Sequence, residues 1–279
     1  MRGEKTPLTL AQRTRFLLRS VALVLALLVF VPLHYIYRIV SYGSPFPMWF
    51  LGTAGWICGA RVRKIGTPLR RDVFFVANHV SWIDILTLAG ASGTAFVAKQ
   101  ELSEVPVIGW LCSLNRTVFV KRENRMGVAE QVNALREALA DNWSVTVFPE
   151  GTTTDNRSLL PFKTSMLSVL EPPPPGVLVQ PVMLDYGAVG EEIGWIGEEG
   201  GLNNARRVLG RKGSFEVRIH FLEPFSPDQH RGRKAIGQKA REEIETALIE
   251  AVGPLRNFAH TVEAVRYKHT QVDAEPPAA

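Results

Sequence analysis

Cysteine is scarce in this chain of 279 residues, where only Cys58 and Cys112 occur. Two cysteines exclude a disulfide-built scaffold and a paired C-x-x-C metal site. Cys58 lies in an apolar stretch and Cys112 beside Trp110-Leu111, so both read as reduced, buried thiols of a cytosol-facing protein. Other familiar chemistry is missing too. There is no G-x-S-x-G nucleophile elbow, no G-x-x-x-x-G-K-[ST] phosphate loop and no H-E-x-x-H zinc helix. Gly194, Gly197 and Gly200 have the wrong spacing for a dinucleotide fingerprint, and no strand pattern precedes them. Composition excludes disorder, because 46% of residues are apolar and 21% charged.

Charge is the scarcest commodity near the amino terminus. Between Ser20 and Ala60 only Arg38 is charged, although the chain carries 32 Lys and Arg against 27 Asp and Glu, a net +5. Residues 20–37 form an uncharged run of 18, the lower edge of bilayer-spanning length. Arg2, Lys5, Arg13, Arg15 and Arg19 precede it, opposed only by Glu4. A second uncharged run, 39–60, ends in Arg61, Arg63, Lys64, Arg70 and Arg71. Lys and Arg concentrate on cytoplasmic flanks. Two crossings, or two helices half-buried in one leaflet, keep both clusters on that side, whereas a single crossing strands one outside. The expected organisation is a basic segment over 1–19, a membrane-anchoring helical hairpin over 20–60 that turns at 41–47, a water-soluble domain over 61–265, and a disordered tail over 266–279. A signal peptide shares the outline of the first run, but no small-residue cleavage site follows Leu33 and the next segment is also apolar. Tyr35, Tyr37, Tyr42, Trp49 and Trp56 suit an interfacial aromatic belt or packing against the soluble domain.

From Val62 onward, short β-branched or aromatic runs alternate with helical patterns, which is an α/β layer arrangement. Strands are expected over 73–77, 95–98, 117–120, 144–148, 177–182 and 215–221, and helices over 82–89, 125–140, 162–170 and 236–252. The last helix repeats Ile236, Ala240, Ile244, Leu248 and Val252 every four residues, the single apolar face of a core-packing helix. Pro172 to Pro175 with Gly176 stop the helix before it, and the Gly-rich, acidic stretch 187–201 around Trp195 reads as a long surface loop.

Three blocks carry reactive side chains. In the first, a buried-type strand runs into Asn78-His79 and then a helix with Asp84 about one turn in. A carboxylate bonded to one imidazole nitrogen sets the tautomer and leaves the other nitrogen to take a hydroxyl proton. Ser81 and Asp84 also spell a capping box, which needs no catalysis, and a lone histidine usually packs or hydrogen-bonds. In the second block a strand ends in Phe148-Pro149-Glu150-Gly151-Thr152, placing a carboxylate, a permissive glycine and hydroxyl donors at a strand terminus. Alone it is only a turn. The third, from Gly109 to Arg122, ends a strand with Lys121 and Arg122, a fork for phosphate or carboxylate or a solvated strand end.

Asn78-His79 with Asp84, followed in order by Arg122 and Phe148-Pro-Glu-Gly-Thr152, resembles the PlsC-like glycerolipid acyltransferases over residues 73–182. Ala98-Lys-Gln-Glu-Leu102, Pro106-Val-Ile-Gly109 and Val179-Gln-Pro-Val182 add to the match. The resemblance implies a mixed sheet flanked by helices behind the membrane hairpin, with residues 61–265 as the acyltransferase domain. It makes His79 the general base and Asp84 its orienting partner, with Asn78, Arg122, Glu150, Gly151 and Thr152 binding substrate. It further implies a fatty acyl thioester on acyl carrier protein or coenzyme A as co-substrate, no metal or redox cofactor, membrane lipids as partners and no nucleic acid. The expected acceptor is 1-acyl-sn-glycerol-3-phosphate. Many phosphatidate-forming members have Arg after Glu-Gly-Thr, where this chain has Thr153, so a lyso-ornithine lipid stands as the alternative, and Lys121, Arg157 or Lys163 as substitute cations. A lipid-binding protein without chemistry, and a hydrolase using Ser81 as nucleophile, are the rival readings.

Overall fold

The computed structural model describes residues 7–41, 43–120, 133, 137, 144–260 and 265–267. Lys121, Arg122, most of the helix expected over 125–140 and the tail beyond 267 lie outside them.

The apolar amino-terminal stretch folds as two unequal helices. Helix α1 (Leu10–Val40) begins at a capping box between Thr9 and Gln12, well before the uncharged run, so the boundary expected at residue 19 falls inside a helix. Its 31 residues extend about 46 Å at the helical rise, more than the hydrocarbon thickness of a bilayer. Helix α2 (Phe46–Cys58) has 13 residues, roughly 20 Å, too short to cross. The 39–60 run therefore does not cross as a helix, since the turn consumes its start and a strand begins at Ala60. The two helices do form a hairpin. Phe30 packs against Phe46 and Phe50 at 6.4 and 6.2 Å, and His34 Nδ1 bonds Ser44 Oγ at 2.9 Å across the turn.

The hairpin is fastened to the rest of the molecule at two places. Gly90 of helix α3 (Ile83–Ser92) crosses Gly52 of α2 so closely that a Cβ on Gly90 would lie 2.5 Å from the Gly52 Cα. At the base of α1, Arg15 and Arg19 donate to backbone oxygens at the end of a helix that the sequence reading missed, Gly201–Gly210. Arg15 reaches Gly210 at 2.9 Å, while Arg19 reaches Leu209 and Arg211 at 3.0 Å and Gly213 at 2.8 Å. Carbonyls at a helix carboxyl end lack intrahelical donors and carry partial negative charge, so two guanidinium groups satisfy both needs. Phe16 and Leu23 of α1 pack against the main core from the same side.

The sheet has seven strands: β1 (Ala60–Ile65), β2 (Val73–Ala77), β3 (Ala95–Lys99), β4 (Val118–Val120), β5 (Ser144–Val147), β6 (Leu178–Asp185) and β7 (Phe215–Phe221), in the spatial order β1-β7-β6-β2-β5-β3-β4. Strands β6, β2, β5, β3 and β4 are mutually parallel, and β7 joins β6 antiparallel with β1 parallel to it, making the sheet mixed as expected. Residues 60–65 were missed as a strand because four of the six are exposed and three are basic, a pattern that reads as a flank. Strand β2 is buried throughout. Val73, Phe75 and Ala77 serve one core, while Phe74 and Val76 serve another beneath helix α4 (Gly232–Val252). Burial on both faces explains its unbroken apolar run. Ile236, Ala240, Ile244 and Leu248 of α4 are buried as the periodicity predicts. The expected helix over 162–170 is instead a 3-10 segment, Thr164–Leu170.

Candidate active site

Because β2, β5 and β6 are parallel neighbours, their carboxyl ends open on one edge, where open α/β sheets place ligands. Strand β2 delivers Asn78 and His79 there, β5 delivers Phe148 to Glu150, and β6 delivers Tyr186. Blocks 71 residues apart thus meet.

His79 is held at every polar backbone atom. Its N–H donates to Glu150 Oε1 at 2.8 Å, and its carbonyl accepts from Thr154 N at 2.8 Å and Thr154 Oγ1 at 3.2 Å. Its ring stacks on Phe148 at 4.1 Å, and Phe148 in turn stacks on Phe96. Nδ1 meets Asp84 Oδ2 at 2.7 Å, with the His79 side chain 19% exposed and Asp84 fully buried. With a carboxylate acceptor, Nδ1 carries the proton and the lone pair sits on Nε2.

Asp84 serves both of the roles its spacing allowed. Oδ2 also accepts the N–H groups of Val80 and Ser81 at 2.7 and 2.9 Å, so the carboxylate caps the turn leading into α3 while orienting the ring. Ser81 Oγ is buried and only loosely receives Ile83 N–H, at 3.4 Å, a poor setting for a nucleophile. The other Asp84 oxygen accepts the hydroxyl of Tyr186, a buried residue that sequence reading passed over. Burial and the adjacent Asp84 charge push the Tyr186 phenol well above its ordinary range, so it remains a donor. Tyr186→Phe keeps the ring and removes one charge-assisted hydrogen bond. We expect kcat to fall roughly tenfold with KM little changed. A merely structural role would lower thermal stability and leave kcat in place.

Two residues expected to bind substrate are committed elsewhere. Asn78 is fully buried and exchanges two hydrogen bonds with the Leu184 backbone, at 3.0 and 2.7 Å, extending the β2–β6 ladder with a side chain. Glu150 is 1% exposed, its second oxygen accepting Leu160 N–H at 2.8 Å. Burial pushes its carboxyl up to about 8 against the pull of those donors and Arg241. Gly151 and Thr152 stay partly exposed. Gly151 adopts φ 74°, and a Cβ there would lie 2.9 Å from Lys163 Nζ. Arg157 points away and donates to Val252 O at 2.7 Å. Arg122 lies outside the described residues.

The stretch over 187–201 is more than a surface loop. Ile193 and Glu199 are buried, Trp195 N–H donates to Val80 O at 3.0 Å, and Thr153 Oγ1 donates to the Trp195 carbonyl. Glu199 pairs with Arg207 at 2.8 Å and accepts from Asn204 at 2.9 Å, and Asn204 in turn accepts from Trp82 Nε1 at 2.8 Å. The loop therefore walls the His79 turn. Its glycines and acids suggested solvent, and the long-range partners that bury it leave no local signature.

A histidine whose Nδ1 is held by a buried carboxylate thus stands at the carboxyl edge of a mixed α/β sheet, behind an apolar helix. The chain belongs to the acyltransferase family, whose model matches residues 61–185. It is 38% identical over 211 residues to a lyso-ornithine lipid O-acyltransferase from Rhizobium meliloti, covering 69% of this chain and 72% of that one. It is 37% identical over 106 residues to a 1-acyl-sn-glycerol-3-phosphate acyltransferase from Neisseria gonorrhoeae, covering 37% and 42%. The crystal structure of the 1-acyl-sn-glycerophosphate acyltransferase PlsC from Thermotoga maritima shares the fold, with a TM-score of 0.62, 22% identity, and coverage of 86% and 97%.

Proposed function

We propose that this protein transfers a fatty acyl group from acyl carrier protein or coenzyme A to the free hydroxyl of a lyso-lipid, with the catalytic edge on the cytoplasmic side of the inner membrane. The observation that carries the reading is the Asp84–His79 pair at 2.7 Å, buried on the carboxylate side and open on the imidazole side. His79 Nε2 removes the acceptor's hydroxyl proton as the oxygen attacks the thioester carbonyl. The tetrahedral oxyanion collapses by breaking the C–S bond, and the proton leaves with the thiolate as a thiol. The sulfur is a good leaving group, so deprotonation and positioning dominate the task. No acyl-enzyme forms, consistent with a buried Ser81.

The acceptor expected from the sequence is 1-acyl-sn-glycerol-3-phosphate, giving phosphatidic acid, with Gly151, Thr152 and Lys163 toward its head group and Arg122 assigned to it by the sequence resemblance alone. The second reading, lyso-ornithine lipid, is supported by two observations. Thr153 spends its hydroxyl on the Trp195 loop, and the lyso-ornithine relative is matched over most of its length. Purified protein in vesicles, given labelled acyl donor and each lyso-lipid in turn, should form one diacylated product in preference. Absence of product from every acceptor overturns the reading.

A further inference from the structure

Apart from α1, the described residues expose a second concentration of large apolar side chains. Between β3 and β4, Leu102, Val105, Val107, Ile108 and Trp110 are 39% to 58% exposed, and residues 105–113 contain no charge. Scattered apolar residues are ordinary on a surface, whereas five within nine positions mark a contact. The segment is folded rather than frayed. Ser103 Oγ accepts from Gln100 Nε2 at 2.9 Å and donates to Gln100 O at 2.7 Å, and Gly109 packs where a Cβ would meet Ser103 O at 2.3 Å. Val107 sits at φ 67°, a region that β-branched residues avoid.

We propose that residues 102–110 form a second membrane contact, seated on the same bilayer interface that α1 enters. Continuity identifies the occupant. Trp110 Nε1 donates to Tyr35 Oη at 3.2 Å, so the patch joins the exposed face of α1 that carries Ile36, Ile39 and Val40. A Trp–Tyr pair with apolar bodies and polar tips suits the headgroup boundary. Placement supplies the purpose. Strand β3 runs parallel to β2 through β5 and opens into this segment on the edge that holds His79. A single apolar helix can roll in the bilayer together with the domain fastened to it, and a second contact fixes which edge meets the lipid. The inference rests on the lyso-lipid acyltransferase reading.

The test uses the full chain in vesicles of equal parts phosphatidylcholine and phosphatidylglycerol. Brominated acyl chains should quench the part of the tryptophan emission that Trp110→Phe removes. The double variant Leu102→Ser, Ile108→Asp should stay folded and membrane-bound through α1, yet lose roughly tenfold in transfer to an acceptor embedded in vesicles. Transfer to the same acceptor in detergent micelles should be unchanged. Undiminished vesicle activity, or an equal loss in both settings, overturns the proposal. So does a raised KM for the acyl donor, which makes the patch a carrier-protein site, or a concentration-dependent dimer that the double variant abolishes. Absence of transfer by the wild type in either setting points instead to failure of the acyltransferase reading.

Discussion

His79→Ala lowers acyl transfer by about 10²- to 10⁴-fold, the range for removing a general base, while membrane association through α1 persists. The effect should fall on kcat more than on KM, as expected for a group that acts on the proton that moves rather than on binding. Alanine also empties the place stacked on Phe148, so His79→Gln is the companion that fills it without supplying a base. Both variants should lose transfer alike, with folding verified by circular dichroism in detergent. Retained activity in folded His79→Gln protein refutes the base assignment. A lipid-binding protein without chemistry predicts a different result: no thioester consumption by the wild type at all.

Glu150→Gln is the second large effect, and its logic is geometric. The carboxyl group accepts His79 N–H with one oxygen and Leu160 N–H with the other, and its hydroxyl oxygen keeps an accepting lone pair when protonated, which an amide nitrogen does not. Glutamine offers one acceptor and one amide donor, so one buried N–H faces another donor, costing about 1–3 kcal/mol. A shift in the His79 backbone displaces the base, and misplacement of about 1 Å costs on the order of 10²-fold in rate. The expected result is reduced kcat together with reduced thermal stability, and rate should not recover when acceptor concentration is raised. Stability also acquires a pH signature. Glu150 rises from 4.5 in the unfolded chain to about 8 in the fold, so between those values the folded state holds more protons. Stability from this group is present below the lower value and is lost as pH rises through the window, by roughly 1.4 kcal/mol per pH unit in its middle. The melting temperature of the wild type in detergent should therefore drop across that window more steeply than that of Glu150→Gln. Parallel curves would show that Glu150 is ionised in the folded state.

What could be read from sequence was whatever had a local signature. The β2 run, the face of α4 and the order of the three blocks each rest on residues within one element, and strand and helix periods expose them. The His79–Asp84 pair was legible for the same reason, because both partners sit on one turn. The partners that arrive from elsewhere were not. Tyr186 is 102 residues from Asp84, and nothing in its neighbours marks it. Glu150 reads as a ligand because carboxylates are normally exposed, and only the fold reveals the two backbone donors it braces. Asn78 is similar, since beside a reactive histidine its amide suggests recognition, and only the fold reveals the ladder it completes. The second apolar run looked long enough to cross a membrane until its turn and the start of β1 were subtracted.

The seat of Arg15 and Arg19 on the end of helix Gly201–Gly210 has a wider meaning for the lifestyle of the protein. A detachable leader can be clipped away to leave a soluble enzyme. Here the cut would strip Phe16 and Leu23 from the core, uncover the carbonyls that both arginines satisfy, and loosen the helix that supports the loop over His79. Attachment of the apolar helix and support of the His79 turn therefore share a single structural joint.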